Sequence, residues 1–431
     1  MGDVQQRGLS GLSLARRLSI LYAALFLVVG CYLPFMPVWL HWRSLGAGEI
    51  AALLATPLFT RIFFTPLIGF AADLAGSRRN IVIALAWGSL VSFVLLWAAN
   101  GFWQMLAATM LLAVNWTTIM PLIETVAARG IRTGTLNYGR VRLWGSLSFI
   151  AANLGSGVAI GFIGPRVVLP LLVAGTMLLV LGAHLLPRDL DGRGKGAPIR
   201  GVKFAEAFRL IHTPVFGLFL LAASLIQASH AVYYSFGTLH WRAEGIPDGA
   251  IGALWSVGVI AEVALFVAAS RVVAAVGTAR LLMLAGLAAA LRWGAMALDP
   301  PFILLGPLQT LHALSFGAAH IAAIHFITHS VPEERAATAQ GIYAAAVAGI
   351  ALGSATLASG PLYANFGGAA YGPMALLALA GAAGAYRLAQ LWHEGPEDAA
   401  AIETAQSHEI GPQDFVASPL DPSQDEAGPG A

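Results

Sequence analysis

The sequence predicts an all-α integral membrane protein with twelve transmembrane helices arranged in two halves of six. Hydrophobic residues make up 58% of its 431 residues and charged residues only 11%, against about 25% charged residues in ordinary soluble domains. Apolar stretches of about twenty residues, enough for a helix to cross the hydrocarbon core of a bilayer, recur along nearly the whole chain. These two observations exclude an ordinary water-soluble fold.

Twelve apolar stretches are predicted to span the membrane. In chain order they cover residues 18–40, 49–72, 80–99, 102–128, 140–163, 167–186, 213–239, 249–270, 279–298, 302–329, 337–363 and 369–391. They divide the chain into a cytoplasmic N-terminus, a first six-helix bundle, a basic cytoplasmic loop, a second six-helix bundle and an acidic cytoplasmic tail, at residues 1–17, 18–186, 187–212, 213–392 and 393–431. The tail has nine acids and neither Lys nor Arg, a composition typical of disordered segments.

Basic residues are distributed unequally between alternate loops. With the N-terminus in the cytoplasm, nineteen Lys and Arg fall in cytoplasmic segments, and three, Arg43, Arg166 and Arg242, fall on the opposite side. Such an excess marks the cytoplasmic face of membrane proteins. The sequence therefore predicts a multi-pass protein of a bacterial-type inner membrane with both termini in the cytoplasm.

Several classes of function are disfavoured by what the sequence lacks. A net charge of +2 is too small to favour nucleic acid, and the single cysteine, Cys31, provides neither a disulfide framework nor a cysteine-based metal site. No nucleophile–base set or Gly-rich phosphate loop occurs at the mouth of a span, so neither an enzyme nor a cofactor is predicted. Six spans on each side of a basic loop is the layout of transporters built from two repeats, whose substrate site lies near the midplane.

Ionisable residues inside the apolar stretches are the strongest indication of a site. Each is costly in the bilayer unless it is paired or hydrated. They are Arg61, Glu124, Glu262, Arg292, His312 and His320, and Arg140 and Arg142 open the fifth stretch. Because they are concentrated on a subset of the spans, we expect those spans to line a water-filled cavity. The alternative is that buried ion pairs only fix helix register.

Polar residues near these charges follow helical spacing. Gln227, His230 and Tyr234 are placed on one face by their i, i+3 and i+7 positions. Thr117 shares a predicted face with Glu124. Other pairs three residues apart are Gln309 with His312 and Gln340 with Tyr343. Arg140 and Arg142 are two residues apart, so only one of them is expected to face the cavity.

The loop between the second and third stretches resembles the loop signature of the major facilitator superfamily. It reads Gly69-Phe-Ala-Ala-Asp73-Leu-Ala-Gly76-Ser-Arg78-Arg79. The resemblance implies the fold of that superfamily and a cytoplasmic gate formed by Gly69, Asp73, Gly76, Arg78 and Arg79, in which the acid pairs with basic residues or a helix N-terminus.

The run from Tyr138 to Ser146, Tyr-Gly-Arg-Val-Arg-Leu-Trp-Gly-Ser, is similar to the fifth helix of the oligosaccharide–proton symporter branch. The resemblance implies an ion pair of Glu124 with Arg142 that opens to hold substrate. Glu262 resembles that branch's acid for substrate contact and proton coupling, and Arg292 and His312 fall where the branch has an arginine and a histidine. The chain departs from the branch at Gln309 and Ser315, which replace a lysine and a carboxylate, and at Phe149, which replaces a sugar-stacking tryptophan.

Across nearly all spans the chain is closer to the phenylpropionate permease group of the superfamily, through matches that include Arg61, the Tyr138–Ser146 run, His230, Glu262, Arg292 and His312. This resemblance implies import of a small aromatic carboxylate together with a proton. Arg61 suits bidentate capture of the carboxylate, with Phe149, Trp144 and Tyr234 for aromatic contact and Gln227, His230 and Tyr343 completing the binding residues. For proton coupling we expect Glu262 first, since desolvation favours a protonated carboxyl group, then His312, with Arg292 and His320.

Three other functions remain open from the sequence. A neutral sugar or nucleoside symporter uses the same fold and the same Glu124–Arg142 pair. A drug or metabolite efflux carrier is expected to have a more apolar cavity with fewer paired charges. A uniporter requires no coupling residue, and the missing carboxylate at Ser315 leaves that alternative in place.

Overall fold

The computed structural model describes residues 13–132, 136–187, 210–331 and 333–392. Within these ranges the chain is almost entirely helical and contains no strand. The predicted central loop, apart from its ends, and the predicted acidic tail lie outside the described residues.

Twelve membrane-spanning helices, α1 to α12, follow one another along the described chain. They are α1 Leu14–Trp42, α2 Ala47–Ala75, α3 Arg78–Ala98, α4 Phe102–Trp116 with Ile119–Arg132, α5 Tyr138–Ile163, α6 Val168–His184, α7 Pro214–Ala228 with Ala231–Ala243, α8 Asp248–Val267, α9 Thr278–Met296, α10 Phe302–Ser330, α11 Glu333–Tyr343 with Ala344–Ala351 and Leu352–Phe366, and α12 Tyr371–Leu391. A 57-residue apolar stretch, Arg335–Leu391, holds most of α11 and all of α12. The predicted twelve spans are confirmed, with ends that differ by a few residues.

Four spans are interrupted near their middles, which the sequence pattern did not predict. The helix of α4 breaks at Thr117, and that of α7 breaks at Ser229 and His230. A π-helical segment follows His312 in α10, and another forms part of α11. Such segments frequently mark functional sites. Two of the predicted site histidines therefore lie at interruptions.

The spans pack as two halves. In the first half α1 packs against α5 and α6, and α3 packs against α4 and α6; in the second half α12 packs against α7 and α9, and α9 packs against α10. Between the halves, α5 packs against α8, α2 against α11, and α1 against α7. The predicted two-half architecture is confirmed, and the interface between the halves is where the site is built.

Backbone contacts through glycine close one end of this interface. A Cβ on Gly252 of α8 would overlap the carbonyl oxygen of Asn153 on α5, and one on Gly157 would overlap the carbonyl oxygen of Asp248. On the other side of the interface, a Cβ on Gly360 of α11 would lie 2.9 Å from the Ala47 carbonyl oxygen of α2. All three contacts lie at the end of the bundle where α1 joins α2. Only glycine permits the halves to approach this closely.

Replacing Gly252 with Ala tests whether this contact holds the end closed. The added Cβ has no room against the backbone of α5, so we expect the halves to separate at this end. Double electron–electron resonance between spin labels at Phe162 and Leu298, in a chain with Cys31 replaced by Ala, should give longer distances. The matched control is Gly249→Ala, because its Cβ meets nothing closer than Val158 Cγ2 at 3.8 Å. Equal distances in the two variants would contradict this role of Gly252.

Candidate functional site

A buried arginine organises the second half of the molecule. Arg292 of α9 has 0% exposure, and its guanidinium lies over the rings of Tyr233 and Trp293, 4.6 and 4.5 Å from their centroids. Its Nη2 donates to Gln309 Oε1, which also accepts from the Tyr233 hydroxyl at 3.0 Å. Aromatic faces and a neutral carbonyl, with no carboxylate in ion-pair range among the described residues, thus stabilise this charge.

His312 connects Arg292 to the acid of α8. Its Nδ1 lies 3.2 Å from Arg292 Nη1, and its Nε2 lies 3.3 Å from Glu262 Oε2. Arg292 Nη1 also donates to Ser315 Oγ at 3.4 Å. The structure therefore brings together Glu262, His312 and Arg292, three residues that the sequence assigned to proton coupling.

The fourth predicted coupling residue, His320, lies next to this group on α10. Its ring stacks with Phe316, 6.3 Å between centroids, and tilts against Phe266 at 6.1 Å. It interacts electrostatically with both Glu262 of the second half and Arg142 of the first. His320 therefore lies within electrostatic range of a charged residue in each half.

The predicted polar face of α7 lies beside the same group. His230 is fully buried, with its ring 5.7 Å from that of Tyr234 and its Nε2 3.3 Å from Ser315 Oγ. Gln227 is buried and interacts with Tyr343 of α11. The predicted grouping of these side chains agrees with the structure, although the helix breaks at His230.

In the first half, a tyrosine lies where the sequence predicted a direct ion pair. The Tyr138 hydroxyl donates to both carboxylate oxygens of Glu124, at 3.0 and 2.9 Å, and interacts with Arg142 as well. The Arg142 guanidinium lies 4.0 Å from the centroid of Phe26. No salt-bridge contact joins Glu124 and Arg142, which are both described, so the expected pair is corrected to an arrangement through Tyr138.

The two arginines that open α5 lie on different faces, as their spacing predicted. Arg142 packs against Phe26 of α1, while Arg140 is exposed. Trp144 lies one turn after Arg140 and is 55% exposed, whereas Phe149 is 7% exposed among the helices. The aromatic contributions of Trp144 and Phe149 stay predictions.

The α4 helix is interrupted at Thr117, seven residues before Glu124. The Thr117 hydroxyl donates to the Ala113 carbonyl oxygen at 2.7 Å. The predicted shared face of Thr117 and Glu124 stays a prediction.

Arg61 differs from the other buried cations. It lies in the middle of α2 and is half-buried, and it has no hydrogen-bond or ion-pair partner within the described chain. Its neighbour Ile62 contacts α11 at Gly349, so this part of α2 lies at the boundary between the halves.

For the predicted gate, the structure shows the positions of Gly69 and Gly76 and the hydrogen bonds of Arg79. Gly76 has a φ of +58° and ends α2 as a left-handed cap, and Gly69 lies within that helix. Arg79 donates from Nε to the Leu186 carbonyl oxygen at 2.7 Å and from Nη2 to that of His184 at 3.2 Å, so it caps α6 within its own half. The side chain of Asp73 lies outside the described residues, and the gating roles of Asp73 and Arg78 stay predictions.

Residues 15–371 match the MFS_1 like family. This chain belongs to that major facilitator family. It is 29% identical over 367 residues to the probable 3-phenylpropionic acid transporter of Escherichia coli (strain K12), which covers 84% of this chain and 95% of that protein. It is also 29% identical over 353 residues to the maltose permease of Geobacillus stearothermophilus, covering 80% of this chain and 86% of that one.

Solved major facilitator structures share the fold. The nucleoside transporter NupG, as its D323A mutant, superposes with a TM-score of 0.76 at 18% identity, over 91% of this chain and 99% of that one. A bacterial homologue of the human lysosomal transporter Spinster, in an inward-facing and occupied conformation, superposes with a TM-score of 0.65 at 15% identity, over 89% and 98% of the two chains. At these identities the likeness shows the fold alone. The family shows that the protein is a multi-pass membrane transporter and not an enzyme.

Sequence reasoning missed the role of three residues in this transporter's site. Tyr138 was recognised only as the start of a motif, and Gln309 and Ser315 only as a neighbour and as a departure from the sugar-symporter branch. In the structure Tyr138 binds Glu124, and Gln309 and Ser315 both bind Arg292. A count of the buried donors of Arg292 against available acceptors would have indicated Gln309 and Ser315.

A double-mutant cycle tests the contact between Tyr138 and Glu124. We expect Tyr138→Phe to lower the free energy of unfolding by about 1 kcal/mol, because the carboxylate loses its hydrogen-bond donor. The same substitution in a Glu124→Ala background should have a smaller effect on the free energy of unfolding, measured by thermal unfolding of the purified transporter, because only the interaction of Tyr138 with Arg142 is then lost. Tyr386→Phe, on an exposed tyrosine of α12, is the control. An equal loss in both backgrounds would show that the hydroxyl acts on something other than Glu124.

Proposed function

We propose that this transporter imports a small aromatic carboxylate, of the phenylpropionate type, together with a proton by alternating access. In this proposal it lies in a bacterial inner membrane with both termini in the cytoplasm. The observation that carries the substrate class is the unpaired guanidinium of Arg61 in the middle of α2. A charged arginine at the centre of a span is expensive, about 2.5–3.5 kcal/mol on insertion scales, so a bound anion is the natural partner for it.

The balance of charge supports an anionic substrate. Within the described spans, the interior cations are Arg61, Arg142 and Arg292, and the acids are Glu124 and Glu262. With both acids ionised the interior carries one excess positive charge, and protonation of either acid increases that excess. A bound carboxylate removes one unit of this excess and so offsets the proton, whereas a neutral sugar leaves the whole excess in place.

Aromatic side chains near the charges suit an aryl group. Tyr234 lies between the rings of His230 and Trp255, at 5.7 and 6.2 Å, and Phe26 lies beside Arg142 in the first half. Stacked or edge-to-face contacts of this kind add about 0.5–1.5 kcal/mol to apolar burial. The similarity to the probable 3-phenylpropionic acid transporter agrees with this substrate class.

Transport requires that the closed end opens while the other end closes. The glycine contacts of α5 with α8 and of α2 with α11 join one half to the other, so their separation would leave the packing within each half in place. The substrate and the proton would bias this equilibrium through different contacts with the two states. Arg61 and Glu262 belong to opposite halves, so a ligand that contacts both would be sensitive to their separation.

A neutral sugar remains the second candidate because of the similarity to maltose permease. That function also uses a carboxylate and an arginine in the first half, but gives no partner to Arg61. Comparing a carboxylate with its neutral amide separates the two functions.

Arg61→Ala should weaken binding of 3-phenylpropionate by roughly 10- to 150-fold, the cost of losing about 1.5–3 kcal/mol of charged hydrogen bonding. Binding of the neutral analogue 3-phenylpropanamide should change little. Isothermal titration calorimetry on the purified transporter measures both. Arg140→Ala is the matched control, because it removes an exposed arginine of α5 that lies on a different face from Arg142. Equal loss for acid and amide, or maltose binding with no binding of the acid, would overturn the proposed substrate class.

A further inference from the structure

The hydrogen bonds around Arg292 have a fixed direction. A guanidinium carries five N–H donors and no acceptor, so each group that it contacts must present a lone pair. Arg292 is fully buried, and water cannot easily replace a partner that presents a proton instead. The direction of every bond that leads away from Arg292 follows from this property.

The contact between Arg292 and His312 fixes which ring nitrogen of His312 carries the proton. Its Nδ1, 3.2 Å from Arg292 Nη1, must accept, so the single ring proton lies on Nε2. That nitrogen is 3.3 Å from Glu262 Oε2 and donates toward the carboxylate. A second proton on His312 would place an N–H against an N–H and a cation against a cation. His312 is therefore neutral while Arg292 is in place.

His230 is linked to Arg292 through Ser315. Ser315 Oγ accepts from Arg292 Nη1 at 3.4 Å and lies 3.3 Å from His230 Nε2. His230 Nδ1 lies 3.1 Å from the Ile226 carbonyl oxygen, which can only accept, so Nδ1 carries a ring proton. The Ser315 oxygen has two lone pairs, so hydrogen bonding alone does not exclude a proton on Nε2. A second ring proton would, however, place another cation beside the buried guanidinium of Arg292, and this repulsion keeps His230 neutral.

The surroundings of Glu262 leave its carboxylate as the proton acceptor of the group. On α10 it faces His312 and His320, on α7 it faces Tyr234, and behind His312 lies Arg292 of α9. Across the interface, Arg142 of α5 interacts with His320. Arg292 does not fix the tautomer of His320. His320 is therefore the other residue that could bind the transported proton, and an experiment must distinguish it from Glu262.

We propose that Arg292 is a positioning residue that holds His230 and His312 as single neutral tautomers, so that Glu262 binds the one proton transported with each carboxylate. This inference rests on the proposed function. Proton binding converts Glu262 from a carboxylate to a carboxylic acid, and the substrate carboxylate replaces the lost negative charge. The loaded transporter then carries the same net charge as the empty, unprotonated one.

Electrically neutral transport is the consequence. One proton and one monocarboxylate carry no net charge across the membrane. A pH gradient alone should drive uptake, to about tenfold accumulation per pH unit, because one unit corresponds to about 1.36 kcal/mol. A membrane potential alone should drive none.

Nitrogen-15 NMR of the full-length transporter with labelled histidine tests the tautomers directly. His312→Gln and His230→Gln assign the signals among the eleven histidines. Each ring should show one protonated and one bare nitrogen, unchanged between roughly pH 5 and 8, the range in which histidine ordinarily titrates. Arg292→Lys, which keeps a donor-only cation, should preserve this pattern, whereas Arg292→Gln should release it. A doubly protonated His312 in the unmodified protein would overturn the proposal.

Uptake of 3-phenylpropionate into proteoliposomes tests the coupling, with protein-free liposomes to subtract passive entry of the acid. Uptake driven by a pH gradient and unaffected by a valinomycin-imposed potassium potential is expected. Uptake that responds to the potential would overturn the neutral stoichiometry while leaving the proposed function intact. The absence of any protein-dependent uptake would instead contradict the proposed function.

Variants separate the possible proton sites. Glu262→Gln should abolish uptake driven by the pH gradient while retaining counterflow exchange. His312→Gln should slow gradient-driven uptake and counterflow alike but keep uptake dependent on the pH gradient, because a glutamine amide can accept from Arg292 and donate to Glu262 without titrating. His320→Asn should also keep this dependence on the gradient. Loss of gradient-driven uptake in either histidine variant, with counterflow retained, would assign the transported proton to that histidine instead of Glu262 and overturn the proposal.

Discussion

A charged side chain in the hydrocarbon core of a bilayer must find a partner or water, and the architecture of this transporter depends on that constraint. Arg142 and Glu124 are connected through Tyr138, and Glu262 is bound by His312. Arg292 is held by aromatic faces and neutral acceptors. Arg61 alone among these charges has no partner in the described chain. Arg142, Glu124, Glu262 and Arg292 thus have partners within the protein, whereas Arg61 requires a ligand or water as its partner.

The two halves treat their charges differently. In the first half the acid and the arginine lie on either side of an exposed phenol, which leaves both accessible to a substrate. In the second half the arginine is buried and contacts no carboxylate, because position 315 is a serine. Because the guanidinium of Arg292 can only donate, every group that it contacts must accept. The first half is therefore suited to substrate recognition and the second to control of protonation.

The sequence predicted the twelve spans because they follow from hydropathy along the chain, and the same hydropathy identified the ionisable residues that lie inside them. It did not predict the interruptions at Thr117 and His230, since these depend on packing between helices. For the same reason it placed Glu124 directly against Arg142, whereas the direction of each side chain leaves room for Tyr138 between them.

Accessibility of the interface between the halves to water is the central claim, and thiol labelling of Ser146→Cys measures it most directly. Ser146 lies one helical turn after Arg142 on α5, and Leu147 is the next residue, exposed on a different face of the same helix. In a chain with Cys31 replaced by Ala, a charged, membrane-impermeant thiol reagent applied at the end opposite the glycine contacts should label the cysteine at position 146, and 3-phenylpropionate should slow the reaction. The control Leu147→Cys should react only with a lipid-soluble reagent. If the charged reagent fails to reach position 146, or reaches position 147 equally well, the charges of this protein do not share a hydrated cavity and the account is wrong.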